Sequence, residues 1–149
     1  TFIKPPISIP ERIQQITKIN DDMLTDAPVM DTVIHDFYEF LGDATIVAHN
    51  AEFDVTWLLM EYEKYALTHN NNNIICTLRW AQKMKEGRCS LSALTKKYKI
   101  GHLNAHRALA DSAVTKELFF IYENLNASPR PEEPFSDYLQ KANELVVPA

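Results

Sequence analysis

Asn104-Ala-His-Arg-Ala-Leu-Ala-Asp-Ser112 and Ala48-His-Asn-Ala-Glu-Phe-Asp54 are the two stretches on which the reading of this chain turns. Each holds a histidine and an aspartate five positions apart, 106 to 111 and 49 to 54, at the mouth of a predicted helix. Five steps around an ideal helix end roughly 140° beyond a whole turn, so His106 and Asp111 cannot share one helical face. The histidine therefore belongs to the approach loop. With the helix starting near Ala108, Asp111 projects from its first turn and His106 is left able to swing over whatever the aspartate holds. A carboxylate fixed by a helix, with a movable imidazole beside it, suits metal-dependent hydrolysis, in which metals orient the reacting groups and the imidazole takes a proton from water.

Working outward, Thr45-Ile-Val-Ala48 is a short apolar run without alternation, the pattern of a strand covered on both faces. It delivers His49 and Asn50 to its carboxyl end, where open α/β sheets place their ligands. Asn50 is expected to cap a helix over 51–65, with Phe53, Trp57, Leu58 and Met60 as its core and flank. Asp54 then falls in the first turn, where the helix dipole favours an acidic side chain even without any function. Two roles stand for Asp54, dipole partner or metal ligand, and two for His49, a polar approach residue or a wall of a substrate pocket.

His106-x-Ala108-x-x-Asp111, preceded by His49-Asn50-x-x-Phe53-Asp54, resembles the DEDDh exonucleases, the DnaQ-like family of the proofreading subunit of bacterial DNA polymerase III. Ile16-Thr-Lys-Ile-Asn20 with Met23-Leu24, Thr77-Leu78, and Ser90-Leu-x-x-Leu94 extend the likeness, which covers about residues 5 to 125. It implies an α/β fold, a ribonuclease H-like mixed sheet flanked by helices. It also implies a 3′–5′ exonuclease using two divalent ions, Mg²⁺ or Mn²⁺, with Asp54 and Asp111 as ligands and His106 as general base. His49, Asn50, Phe53, Ile16 and Thr17 would border the terminal nucleotide of a single-stranded DNA or RNA 3′ end, with a polymerase or other nucleic-acid machine as partner.

Three departures accompany the match. Lys18 stands where a glycine is common, Cys76 where an acidic residue is usual, and the family's opening Asp-x-Glu strand has no counterpart after Thr1. The expectation is therefore an exonuclease domain over 1–125 without its first strands, a truncated piece or a fused module of a larger DNA-processing protein. The alternative, from a different class, is a noncatalytic exonuclease-like module that binds a protein partner.

The remaining chain is read from its residues. Phe2-Ile-Lys suggests the tail of an edge strand before the Pro5-Pro6 break, and a short helix after Pro10 should turn Ile13 and Ile16 inward. Val29, Val33, Phe37, Phe40 and Leu41 recur at helical spacing up to a stop at Gly42. Ile74-Ile-Cys76 reads as a second strand, with Thr77 capping a helix through Leu78, Trp80, Ala81 and Met84. Ser90 opens another helix, through Leu91, Leu94 and Tyr98. The last long helix, from about 108 to 125, carries Leu109, Val114, Leu118, Phe119 and Ile121. Three prolines with mixed charges make 126–134 a linker by composition, and 135–149 a final amphipathic helix opened by Ser136.

Bulk properties bound the function. The 149 residues, 46% of them hydrophobic, suffice for one domain's core. No apolar run is long enough for a membrane span and no signal-like segment opens the chain, so a cytoplasmic protein without a membrane partner is expected. Two cysteines suggest reduced thiols, not a disulfide framework. A net charge of −5 argues against broad nonspecific duplex binding, yet it suits a carboxylate cluster whose charge cations neutralise.

Overall fold

The computed structural model describes residues 1–69, 72–101, 107–125 and 130–138. The chain divides into two compact units, Thr1–Gly42 and Asp43–Ala149.

The first unit contains α1 (Glu11–Thr17), a short 3₁₀ turn (Asp22–Leu24) and α2 (Met30–Leu41). The expected edge strand at Phe2-Ile-Lys is reduced to one isolated parallel bridge, Lys4 with Val29. Pro5 and Pro6 lack the N–H donors that would carry a ladder further. Ile13 and Ile16, expected inside, are both 44% exposed. In α2 the buried side chain is Ile34, while Val29, Phe37 and Phe40 of the expected apolar face are exposed. Gly42 ends α2 as expected, at φ +48° and ψ −127°, a conformation that side-chain-bearing residues rarely adopt.

In the second unit β1 (Ile46–Ala48), α3 (Ala51–Lys64) and β2 (Asn73–Cys76) form a βαβ unit, followed by α4 (Thr77–Lys83), α5 (Leu91–Tyr98), α6 (Ala108–Asn124) and β3 (Glu132–Pro134). The sheet order is β1-β2-β3: β1 and β2 run parallel with Val47 opposite Ile75, and β3 is antiparallel to β2 with Glu133 opposite Ile74. Alternate residues of a strand point to opposite faces. Ile75 accordingly joins Trp80, Ala81, Leu94, Leu118 and Tyr122 in the core that α4, α5 and α6 build, with Val47 packed against it. On the other face Cys76 meets the start of α3. Both α3 and α6 pack on β1, so this three-residue strand is the element that the two motif-bearing helices share.

Two corrections concern packing along the long helices. In α3 the buried residues are Ala51, Val55, Leu58, Leu59 and Tyr62, whereas Phe53, Trp57 and Met60 are exposed. In α6 Leu109 is 85% exposed and the buried face runs through Val114, Thr115, Leu118 and Tyr122.

A third difference lies in the stretch expected to be a linker, whose last residues, Glu132–Pro134, form β3. Local composition argues against a strand here, since Glu and Pro are both depleted in sheets. Tertiary contacts decide otherwise. Arg79 of α4 pairs with Glu133, the Phe135 amide donates to the Asn72 carbonyl at 3.0 Å, and the Asn72 side-chain amide donates to the Ala44 carbonyl at 2.8 Å. Phe135 and Tyr138 are each 1% exposed, Phe135 stacks with His69, and the Arg79 guanidinium lies over the Tyr138 ring. Residues 136–138 are helical, and the rest of the expected C-terminal helix lies outside the described residues.

Deleting residues 130–149 should therefore lower unfolding stability by at least about 3 kcal/mol, the usual cost of losing one large buried aromatic side chain. Urea denaturation of the two proteins measures this, and an unchanged midpoint would place β3 outside the cooperative unit.

Candidate active site

The site is built where β1 ends. Ala48 leads into His49 and Asn50, and Asn50 adopts a left-handed conformation, φ 67° and ψ 50°, before α3 begins. Asparagine is among the few residues that tolerate this region without large cost. Its side chain makes no cap hydrogen bond, contrary to the expectation from sequence. Instead the N–H of Ala51, in the first turn of α3, donates to Cys76 Sγ at 3.4 Å. The thiol stands in for a side-chain cap.

Thr77 was expected to cap α4, but it is the first residue of that helix and its hydroxyl turns to the neighbouring strand. It donates to the Ala48 carbonyl at 3.3 Å and lies 3.0 Å from His49 Nδ1. The Thr77 side chain is wholly buried. Burial lowers the His49 pKa below its ordinary 6.5, although a hydrogen bond to the Cys89 backbone pulls upward. Burial thus disfavours the charged ring, and its Nδ1 faces the Thr77 hydroxyl.

Asp54 and Asp111 occupy equivalent places. Each is the fourth residue of its helix, Asp54 in α3 from Ala51 and Asp111 in α6 from Ala108, and each helix packs on β1. The Asp111 amide donates to the Arg107 carbonyl at 3.0 Å and its carbonyl accepts from the Thr115 hydroxyl at 2.9 Å, so its backbone is tied into the first turns of α6. Burial raises the Asp54 carboxyl above its ordinary 3.8, against the hydrogen bond from its own backbone amide. Glu52, two residues earlier, is paired with Arg79 at 3.3 Å, whereas no cation among the described residues pairs with Asp54.

Asn50, Glu52, Phe53, Thr56, Trp57 and Met60 line an open groove of about 340 Å³ along α3. Phe53 is 73% exposed, so its ring is available to a ligand. Asn50 and Phe53 thus stand together beside Asp54 as the motif suggested, with Trp57 and Met60, expected as core or flank of the helix, added to the groove. Ile16 and Thr17 lie at the end of α1 in the first unit. His106 lies outside the described residues.

Carboxylates are the ligand type that Mg²⁺ and Mn²⁺ take. Among the described residues, however, no group of three or more His, Cys, Asp and Glu side chains is placed to hold a metal ion. Asp54 and Asp111 carry that donor type, each in the first turn of its helix.

Comparison with known proteins agrees with this architecture. Residues 1–119 match the family described as exonuclease. The chain is 38% identical over 120 residues to the PolC-type DNA polymerase III of Staphylococcus epidermidis, and 37% identical over 120 residues to that of Staphylococcus aureus. Each match covers 79% of this chain and 8% of the relative, so the chain corresponds to a small part of those proteins' length. A solved structure of exonuclease X in complex with 5′ overhanging duplex DNA superposes with a TM-score of 0.64 at 26% identity, covering 87% of this chain and 75% of that one. The chain belongs to the DnaQ-like exonuclease family, and its mixed sheet with flanking helices is the ribonuclease H-like fold of that family.

The raised carboxyl of Asp54 fixes the sign of a pH effect. A folded-state pKa above the unfolded value means that ionising Asp54 favours unfolding, so its contribution to stability falls as pH rises from 3.8 through the folded value. In EDTA, Asp54→Asn should melt above wild type at pH 7, with the gap closing below pH 4. Thermal melts at the two pH values check this, and a variant that melts lower at pH 7 would show that the ionised carboxylate stabilises the fold.

Proposed function

We propose that this chain is the nuclease module of a larger DNA-processing protein, a divalent-metal-dependent 3′–5′ exonuclease of the DEDDh type that releases mononucleotides. The observation that carries the reading is the pairing of Asp54 and Asp111 at the same position of two helices that share β1, in a chain of the exonuclease family. The relatives' description as DNA polymerases, and the DNA bound in the exonuclease X structure, favour a nucleic-acid substrate and association with a polymerase. We place it in the cytoplasm.

In this reading Asp54 and Asp111 would hold two ions, Mg²⁺ or Mn²⁺, through their carboxylate oxygens. Such ions neutralise the scissile phosphate and lower the pKa of water. His106 takes the proton from the attacking water as general base. Phe53 offers its exposed ring as a stacking face for the terminal base, a contact that tolerates any sequence. Asn50 borders the same nucleotide, and His49 contributes through the turn that it holds. Because an unstacked end is gripped locally, a net charge of −5 is compatible with the substrate.

The test is release of mononucleotides from a 5′-labelled single strand with Mn²⁺. It uses this chain, the same chain extended at its amino end by an Asp-x-Glu strand, and Asp54→Asn, Asp111→Asn and His106→Ala in whichever form is active. Each substitution should cut kcat by at least about a hundredfold, in the range seen when a group acting on the transition state or the metal is removed. Silence in both forms would favour the noncatalytic, partner-binding alternative.

A further inference from the structure

The ends of the two parallel strands are joined by more than the sheet ladder. From the β2 side, Thr77 Oγ1 reaches the Ala48 carbonyl at 3.3 Å and His49 Nδ1 at 3.0 Å, and Cys76 Sγ accepts the Ala51 amide at 3.4 Å. These contacts fall on three of four consecutive residues, 48, 49 and 51, and the residue between them is Asn50 in its left-handed conformation. A lone positive-φ asparagine has other conformations open to it. Gripped on both sides, it has fewer.

That turn sets the direction of the first turn of α3, which carries Asn50, Phe53 and Asp54 toward the candidate site. We propose that Thr77 is a positioning residue for the nuclease reaction, acting through His49 and the Ala48 carbonyl to fix the turn that presents Asn50, Phe53 and Asp54. The proposal rests on the nuclease reading above. Thr77 touches neither substrate nor metal in this account. Its work is to remove alternative orientations of the helix start, and a misplacement of about 1 Å far from the chemistry can cost about a hundredfold in rate.

The molecule provides its own control. Thr95 is also buried, but its hydroxyl donates to the Ser92 carbonyl within α5 at 2.9 Å, in an element that carries none of the candidate site residues. Removing either hydroxyl takes one buried hydrogen-bonding group out of the same unit, and only Thr77 touches the turn.

The experiment compares Thr77→Val, Thr77→Ser and Thr95→Val in the active form of the protein. It reads kcat, KM and the Mn²⁺ concentration for half-maximal rate, together with ¹⁵N NMR of the His49 ring. Thr77→Val should lower kcat by about tenfold to a hundredfold and raise the Mn²⁺ requirement, the scale of losing a group that orients a ligand. The ring nitrogens of His49 should shift toward a mixture of tautomers. Thr77→Ser, which keeps the hydroxyl, should restore all three, and Thr95→Val should leave all three unchanged. A Thr77→Val enzyme within about twofold of wild type, an unmoved His49 spectrum, or an equal loss in Thr95→Val would overturn the proposal. A wild-type protein that is silent in every form fails the nuclease reading itself, an outcome distinct from these.

Discussion

The parallel pairing of Ile46–Ala48 with Ile74–Cys76 is the constraint on which the site depends. It sets Ala48 opposite Cys76, so the residues that follow each strand emerge side by side. One chain turns into α3 and the other into α4. The buried threonine at the second exit can then hold the turn at the first. Each contact is modest, on the order of 1 kcal/mol for a hydrogen bond, but together they restrict a turn that would otherwise sample several conformations. A slip of one residue in this register would flip every side chain of β2 to the wrong face. Ile75 would leave the core of α4, α5 and α6, and Cys76 would leave the start of α3.

The same strand serves the second motif. Because α6 as well as α3 packs on β1, the first turns of both helices are referred to one short element. Leu118 and Tyr122, fully buried further along α6, hold that helix in place. The core thus bears on the chemistry through geometry: it fixes two helix axes, and the axes fix where two carboxylates stand. Arg79 adds a third reference, pairing with Glu52 in the first turn of α3 and with Glu133 in β3. This leaves Asp54 as the acidic group of that turn whose charge a bound cation would compensate.

What could be read from the sequence was local. The His49–Asp54 and His106–Asp111 spacings announced two helix starts, the motifs around them resembled those of the family, and Ile74-Ile-Cys76 announced a strand through its own residue types. The rest depended on groups far apart in the chain. Thr77 resembled a helix cap because local rules see only the helix that follows it, whereas its partners are Ala48 and His49 across the sheet. Glu132-Glu-Pro134 has no strand propensity, and pairing with Arg79 and β2 makes it one. Residue type alone could not divide Phe53, Trp57, Leu58 and Met60 between core and flank. Only the packing of Val55, Leu58, Leu59 and Tyr62 shows which side of α3 is the core side.

The central claim is that Asp54 and Asp111 serve one cation site, and a double-mutant cycle on Mn²⁺ affinity tests it most directly. Binding would be followed by electron paramagnetic resonance of free Mn²⁺ for wild type, Asp54→Asn, Asp111→Asn and the double variant, all in the active form. Shared ligation predicts strongly non-additive losses, with a coupling of about 1 kcal/mol or more. Losses that simply add would assign the two carboxylates to separate, independent places and contradict the account.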